Sequence, residues 1–182
     1  TEGIRTADKL GYNVINFDEF VFLPTESSEN FEERDYVAEM KHYYFFEPKP
    51  LRLMRAWKKQ SAGVGLSSEG GHGLQINDLQ IFPENFVLRH YITLSQSHAL
   101  SKYGSRIYAA HEYLEKGWHD NRVIFYPQAL SLPSKENLHV YNDDGKWEKS
   151  KPQKVHHFLG QGKVPAKRIA RPLVKAASQT ID

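Results

Sequence analysis

The spacing of apolar and polar positions divides the first 125 residues into short extended pieces and two helical stretches. "EGIRTADKLG" (2–11) sets Ile4, Ala7 and Leu10 at helical spacing, with Thr1 as a cap and Gly11 as the stop. "YNVINF" (12–17) predicts a strand, and "EFVFLP" (19–24) its continuation or the next strand, ended by Pro24. Residues 25–40 are acidic and serine-containing, which predicts a loop or short helix over a surface. "KHYYFFEP" (41–48) and "LRLMRAWKK" (51–59) predict two strands around the breaks at Pro48 and Pro50. A Gly/Ser loop (60–73) leads to a short strand, "LQI", and "FVLRHYI" (86–92) predicts another. Residues 95–116 carry the longest helical pattern. Leu94, Ala99, Ile107, Ala110 and Leu114 form its apolar side, and Gly104 falls in its middle. "RVIFY" (122–126) is a last strand candidate, and no internal repeat is present. Helix, strands, loop, strand and long helix together predict a mixed α/β domain.

Composition bounds the function classes. The chain has 182 residues, 40% apolar and 13% aromatic, enough for one domain with its own core. No apolar run approaches the roughly 20 residues of a membrane span. Cysteine is absent, so any metal must sit on His, Asp, Glu or water, and a cytoplasmic location is expected. The net charge of +2 hides an asymmetry. Residues 1–40 are acid-rich, whereas residues 146–175 carry Lys146, Lys149, Lys151, Lys154, Lys163, Lys167, Arg168, Arg171 and Lys175 against Glu148 alone. A tail of this kind attracts anionic surfaces, and a solvated terminus has the same composition. The opening "TEGIRTADKLGYN" reads as the interior of a fold, so the chain is expected to be a piece of a larger protein.

Several constellations carry candidate chemistry. An α-helix turns by about 100° per residue, so Ser95, His98, Lys102 and Arg106 share one face. Ser95 is also a good N-cap, which puts free backbone N–H groups at the start of that helix. Donors, cations and a helix N-terminus suit a phosphate or diphosphate, although a solvated helix face shows the same row. In "SSEGGHG" (67–73), paired glycines allow close backbone approach, and Glu69 and His72 can move a proton or bind a metal. A plain flexible loop has the same letters. In "RAWKK" (55–59), Trp57 offers a stacking platform beside Arg55 and Lys58, unless it is a core residue of an edge strand. "GWHDNR" (117–122) ends the long helix at Gly117 and brings Trp118, His119 and Arg122, either over a ligand or as a simple helix stop. Asp18 and Glu19 are adjacent on a strand and so point to opposite faces. His156 and His157 form a weaker pair in the tail.

Taken in order, "TEGIRTADKLGYNVINFDEFVFLP", "RLMRAWKK", "SSEGGH", "IFPENFVLRHYITLSQSHALSKYGSR" and "EKGWHDNR" resemble the second half of bacterial family-two glycosyltransferases of the GT-A type. The likeness runs from about residue 1 to residue 125 and leaves residues 126–182 as a basic, partly irregular extension. It implies a partial GT-A-like mixed sheet with flanking helices, lacking the N-terminal nucleotide-binding half. It further implies transfer of a sugar from a nucleotide-sugar donor to a glycan or lipid-linked acceptor, as in polysaccharide biosynthesis. The ion would be Mn²⁺ or Mg²⁺. Nucleic acid is not an implied partner, and the basic tail would touch the inner face of the membrane. On this resemblance His90 matches a late metal-ligating histidine, with His72 as competitor. Glu69 and His72 would be catalytic, and Ser95, His98, Lys102, Arg106 and Lys58 would hold the diphosphate. Trp57, Trp118, His119 and Arg122 would bind sugar or acceptor. The chain departs from the family in having no acceptable Asp-x-Asp motif: "NFDE" has Asn16 at the first position and lies downstream of where that motif belongs. The main carboxylate ligands are therefore expected outside this chain. A sulfotransferase-like enzyme would also use Ser, Lys and Arg on one helix, but wants a Gly-rich phosphate loop after an early strand. A non-catalytic carbohydrate- or anion-binding module suits the aromatic content and the missing motif.

Overall fold

The computed structural model describes residues 2–61, 63–66, 72–104, 109, 111, 115 and 132–156. The chain is mixed α/β, and its sheet is organised around one strand. Helix α1 (Glu2–Lys9) leads into β1 (Val14–Phe22). The junction is a full glycine stop: Gly11 takes φ +87°, its N–H bonds to Asp8 O, and the Tyr12 N–H bonds to Ala7 O. Of the apolar row on α1 only Ala7 is buried, while Ile4 and Leu10 are exposed. The helix lies close over the sheet at Gly3, where a Cβ would fall 2.6 Å from the Phe86 ring.

The run 12–24 forms one nine-residue strand, β1, buried along both faces except at Phe17. After the acidic loop and the single turn α2 (Tyr36–Glu39) come β2 (His42–Phe46) and β3 (Met54–Trp57). Both pair antiparallel with β1, in succession: Val14, Ile15 and Asn16 meet β3, and Glu19 to Phe22 meet β2. The Asn13 carbonyl and the Phe17 N–H bond to Lys58 and Leu53, so β3 takes this edge of β1. Val14 turns the other way, to Gln80 and Phe82, on the edge where β4 (Phe86–Tyr91) runs parallel to β1 from Phe17 to Phe22. Asn16 bridges the change of partner, its Oδ1 accepting from the Leu53 N–H at 2.9 Å. Helix α3 (Gln96–Gly104) follows; the continuation of that pattern through residue 116 lies largely outside the described residues, as does "RVIFY". Residues 132–156, in the stretch expected as an extension, pack onto the sheet. Strand β5 (His139–Val140) pairs with β2, and Gln153 pairs with Phe46 farther along.

Alternation along β1 and β2 sorts the core into two faces. On one, Val21, Leu23, Tyr44, Phe46 and Ile92 pack under Ala99 and Tyr103 of α3. On the other, Phe20, Phe22, Tyr43 and Phe45 meet Phe31, Met40, Tyr141 and Trp147. The second face is largely rings: Trp147 lies 4.4 Å from Phe20 and stacks on Tyr141 at 4.4 Å. Fully burying such side chains contributes about 1.5–3 kcal/mol each, so the tail supplies part of the core. Among the described residues no helix is long and apolar enough to cross a membrane.

Candidate functional site

Hydrophobic strands seldom carry two consecutive acids, and β1 places Asp18 and Glu19 on opposite faces. Asp18 accepts from the Asn85 side-chain amide at 2.9 Å and pairs with the Lys149 ammonium at 2.5 Å. Glu19 shares the other face with Val21 and Leu23. One carboxylate oxygen, Oε2, accepts from the Arg52 guanidinium; the other, Oε1, lies 2.5 Å from His90 Nδ1. The Glu19 side chain is 7% exposed, Arg52 13% and His90 38%. Burial alone would push the Glu19 carboxyl up. The His90 hydrogen bond opposes it, followed by the charges of Arg52, His90 and His156, and together they hold it below its usual range.

Local structure explains how each partner arrives. His90 pairs in register with Val21, one residue past Phe20–Arg89, so it lies diagonally across from Glu19 on the same face. Arg89 goes to the opposite face and lies over Tyr141 and Trp147, 4.3 and 5.2 Å from their centroids. This is why one strand end carries a cation and an imidazole: alternation sends them to separate duties. Arg52 lies between Leu51, which takes φ +51°, and Leu53, tied to Asn16 and Phe17; its guanidinium rests on the Phe46 ring at 4.9 Å. The tail adds His156, buried, stacked on Phe46 at 3.8 Å, bonded to the Tyr44 hydroxyl at 2.7 Å and edge-on to His90 at 6.4 Å. A shallow, open depression borders the cluster and is lined by Asn16, Glu19, Phe46, Glu47, Lys49 and Arg52.

The residues singled out from sequence fall in two places. On α3, Ser95 caps the helix, its Oγ accepting from the His98 N–H at 2.8 Å and donating to Glu32. His98 Nδ1 accepts from the Leu94 N–H at 3.2 Å, and Lys102 donates to the Ile92 carbonyl at 2.7 Å, beside Tyr103. The Glu32 carboxyl is held low, first by the Ser95 hydroxyl. Helix α3 covers the face that carries His90. At β3, Trp57 is 39% exposed, Lys58 pairs with Asp8 at 2.6 Å, and His72 Nδ1 lies 3.0 Å from the Arg55 guanidinium. Glu69, Arg106, Trp118, His119 and Arg122 lie outside the described residues. Sequence reasoning did not join Glu19, Arg52, Tyr44 and His156. The one signal was two acids inside an apolar run, which demands buried counter-charges on both faces.

Among the described residues no group of three or more His, Cys, Asp or Glu side chains is disposed to hold a metal ion. Asp18 and Glu19 are each engaged by cations and do not fit as ligands. His90 fits one ligand position: Nδ1 faces Glu19, and among the described residues Nε2 has no hydrogen-bond partner. Comparison with protein-family models, characterised proteins and solved structures returns no match.

Proposed function

We propose that the chain is the acceptor-side portion of a GT-A glycosyltransferase that transfers a sugar from a nucleotide-sugar donor to a hydroxyl acceptor. The ordered motifs first point to this reading. The observation that carries it is a half-exposed imidazole, His90, fixed by a buried carboxylate on the sheet face that α3 covers. Ligands of α/β sheets bind beyond the carboxyl ends of parallel strands. His90 and α3 occupy that end of the parallel pair β1–β4. A divalent ion would neutralise the departing diphosphate, with His90 giving one ligand and the carboxylates coming from elsewhere in the protein. Lys102, which donates to the Ile92 carbonyl, would in this reading steady the leaving group. Ser95 and His98 have a second task, since their side chains close the first turn of α3 and hold its N-terminus in place.

The test uses the full-length gene product, a panel of nucleotide sugars and Mn²⁺, with donor hydrolysis or transfer as readout. His90→Ala and Lys102→Ala should each lower turnover by about tenfold or more while the protein remains folded. Unchanged turnover in both removes the assignment. Absence of donor binding, together with saturable binding of free glycan, would favour a non-catalytic carbohydrate-binding module.

A further inference from the structure

We propose that Glu19 is the positioning residue of His90: it fixes the imidazole in the Nδ1–H tautomer and turns the Nε2 lone pair outward as the electron-pair donor of the site. This deepens the sugar-transfer reading and rests on it for the identity of the acceptor, a divalent cation.

Donors and acceptors fix the tautomer. An ionised carboxylate can only accept hydrogen bonds. Oε2 of Glu19 is taken by Arg52, which can only donate. Oε1 faces His90 Nδ1 at 2.5 Å, so that nitrogen must carry the proton. In neutral imidazole the other nitrogen, Nε2, then holds the lone pair. The geometry is well shielded where it is set and open where it acts. Glu19 is 7% exposed and Arg52 13%, whereas His90 is 38% exposed. His156, edge-on at 6.4 Å and tied to Tyr44, bounds the ring on the tail side. A carboxylate behind a histidine is the usual way a protein orients an imidazole toward a metal.

Arg52 turns this arrangement into a sharp test. In Glu19→Gln the side chain keeps its shape but has one oxygen and one amide nitrogen. Arg52 can accept nothing, so it takes the oxygen and the amide N–H₂ faces His90 Nδ1. Nδ1 must then accept, the proton moves to Nε2, and the outward lone pair is lost. A carboxylate that served only to pair with Arg52 and fill space would not produce this inversion.

The experiment is long-range ¹H–¹⁵N NMR on the chain labelled with ¹⁵N-histidine, at a pH where imidazole is neutral. The His90 signals are assigned by their loss in His90→Asn. Wild type should show His90 as the Nδ1–H tautomer and folded Glu19→Gln as the Nε2–H tautomer. If Glu19→Gln does not fold, the Glu19→Leu/Arg52→Met double variant removes both charges, and His90 should relax toward the tautomer mixture of free imidazole. An Nε2–H tautomer in wild type, or an unchanged tautomer in the folded variants, overturns the role of Glu19. In the full-length protein, Glu19→Gln should also weaken Mn²⁺ dependence by about 10–100-fold. A tautomer that inverts with no change in Mn²⁺ or donor binding supports the role of Glu19 and sinks the sugar-transfer reading instead.

Discussion

Asp18 and Glu19 are neighbours on β1 that face opposite sides of the sheet, and their side chains are almost equally shielded, 8% and 7% exposed. Their partners differ. Asp18 meets an amide, Asn85, and an ammonium, Lys149, that remains 53% exposed. Glu19 meets Arg52, itself 13% exposed, and His90, with His156 close behind. Burial of an acid therefore does not by itself make a site. What separates the two faces is whether the counter-charge is buried too. A buried guanidinium has no water to fall back on, whereas an exposed ammonium does.

The largest expected effect comes from cutting the Glu19 network on one side only. Glu19→Ala removes the buried carboxylate that faces both Arg52 and His90, and should cost about 3–5 kcal/mol in urea unfolding. Adding Arg52→Met should recover much of that loss, because an apolar pair replaces a broken ionic one. A single-variant cost below about 1 kcal/mol would erase the contrast with Asp18.

Acid should act on the same network. The Glu19 carboxyl is lowered on folding, although burial opposes this, because its bond to His90 and the charge of Arg52 outweigh desolvation. A lowered carboxyl stabilises the fold fully above its unfolded value, near 4.5, and that contribution is lost as pH falls through the folded value below it. Urea midpoints measured from about pH 6 down to about pH 3 should fall more steeply in wild type than in Glu19→Leu/Arg52→Met. Parallel curves would mean that other carboxylates set the acid limit.

A middle-sized effect is expected where α3 covers the Glu19 face. Ser95→Ala removes the cap on the His98 N–H and the bond to Glu32, and should cost about 1 kcal/mol. The smallest effect belongs to the opposite face. Lys149→Ala should cost less than about 1 kcal/mol, since the ammonium is exposed and Asp18 keeps Asn85. A loss as large as that of Glu19→Ala would show that the two faces are energetically alike.

The elements were largely legible in the sequence. The helix stopped by Gly11 and the strands around Phe20, Tyr44, Ala56 and Leu88 follow from short-range periodicity. The cap at Ser95 was legible as well, because capping needs only residues three apart. Whether "EFVFLP" continues "YNVINF" or begins a new strand stayed open, and the paired charges on Asp18 and Glu19 show why one strand runs through. The tail was the least legible part. Its lysines suggested a solvated extension, yet Tyr141, Trp147 and His156 reach the core through isolated rings that carry no period.

By itself the sequence determined which residues part company. A strand alternates every residue, so Asp18 had to leave Glu19, and Arg89 had to leave His90, whatever the rest of the chain did. Only the tertiary structure decided which residues meet. Glu19 reaches Arg52 across 33 residues and His90 across 71, and Tyr44 reaches His156 across 112. Those contacts exist because β2 and β3 share one edge of β1, β4 runs parallel on the other, and the tail returns along β2. Pairing order is a choice among long-range contacts of similar hydrophobic gain, and no local pattern encodes it.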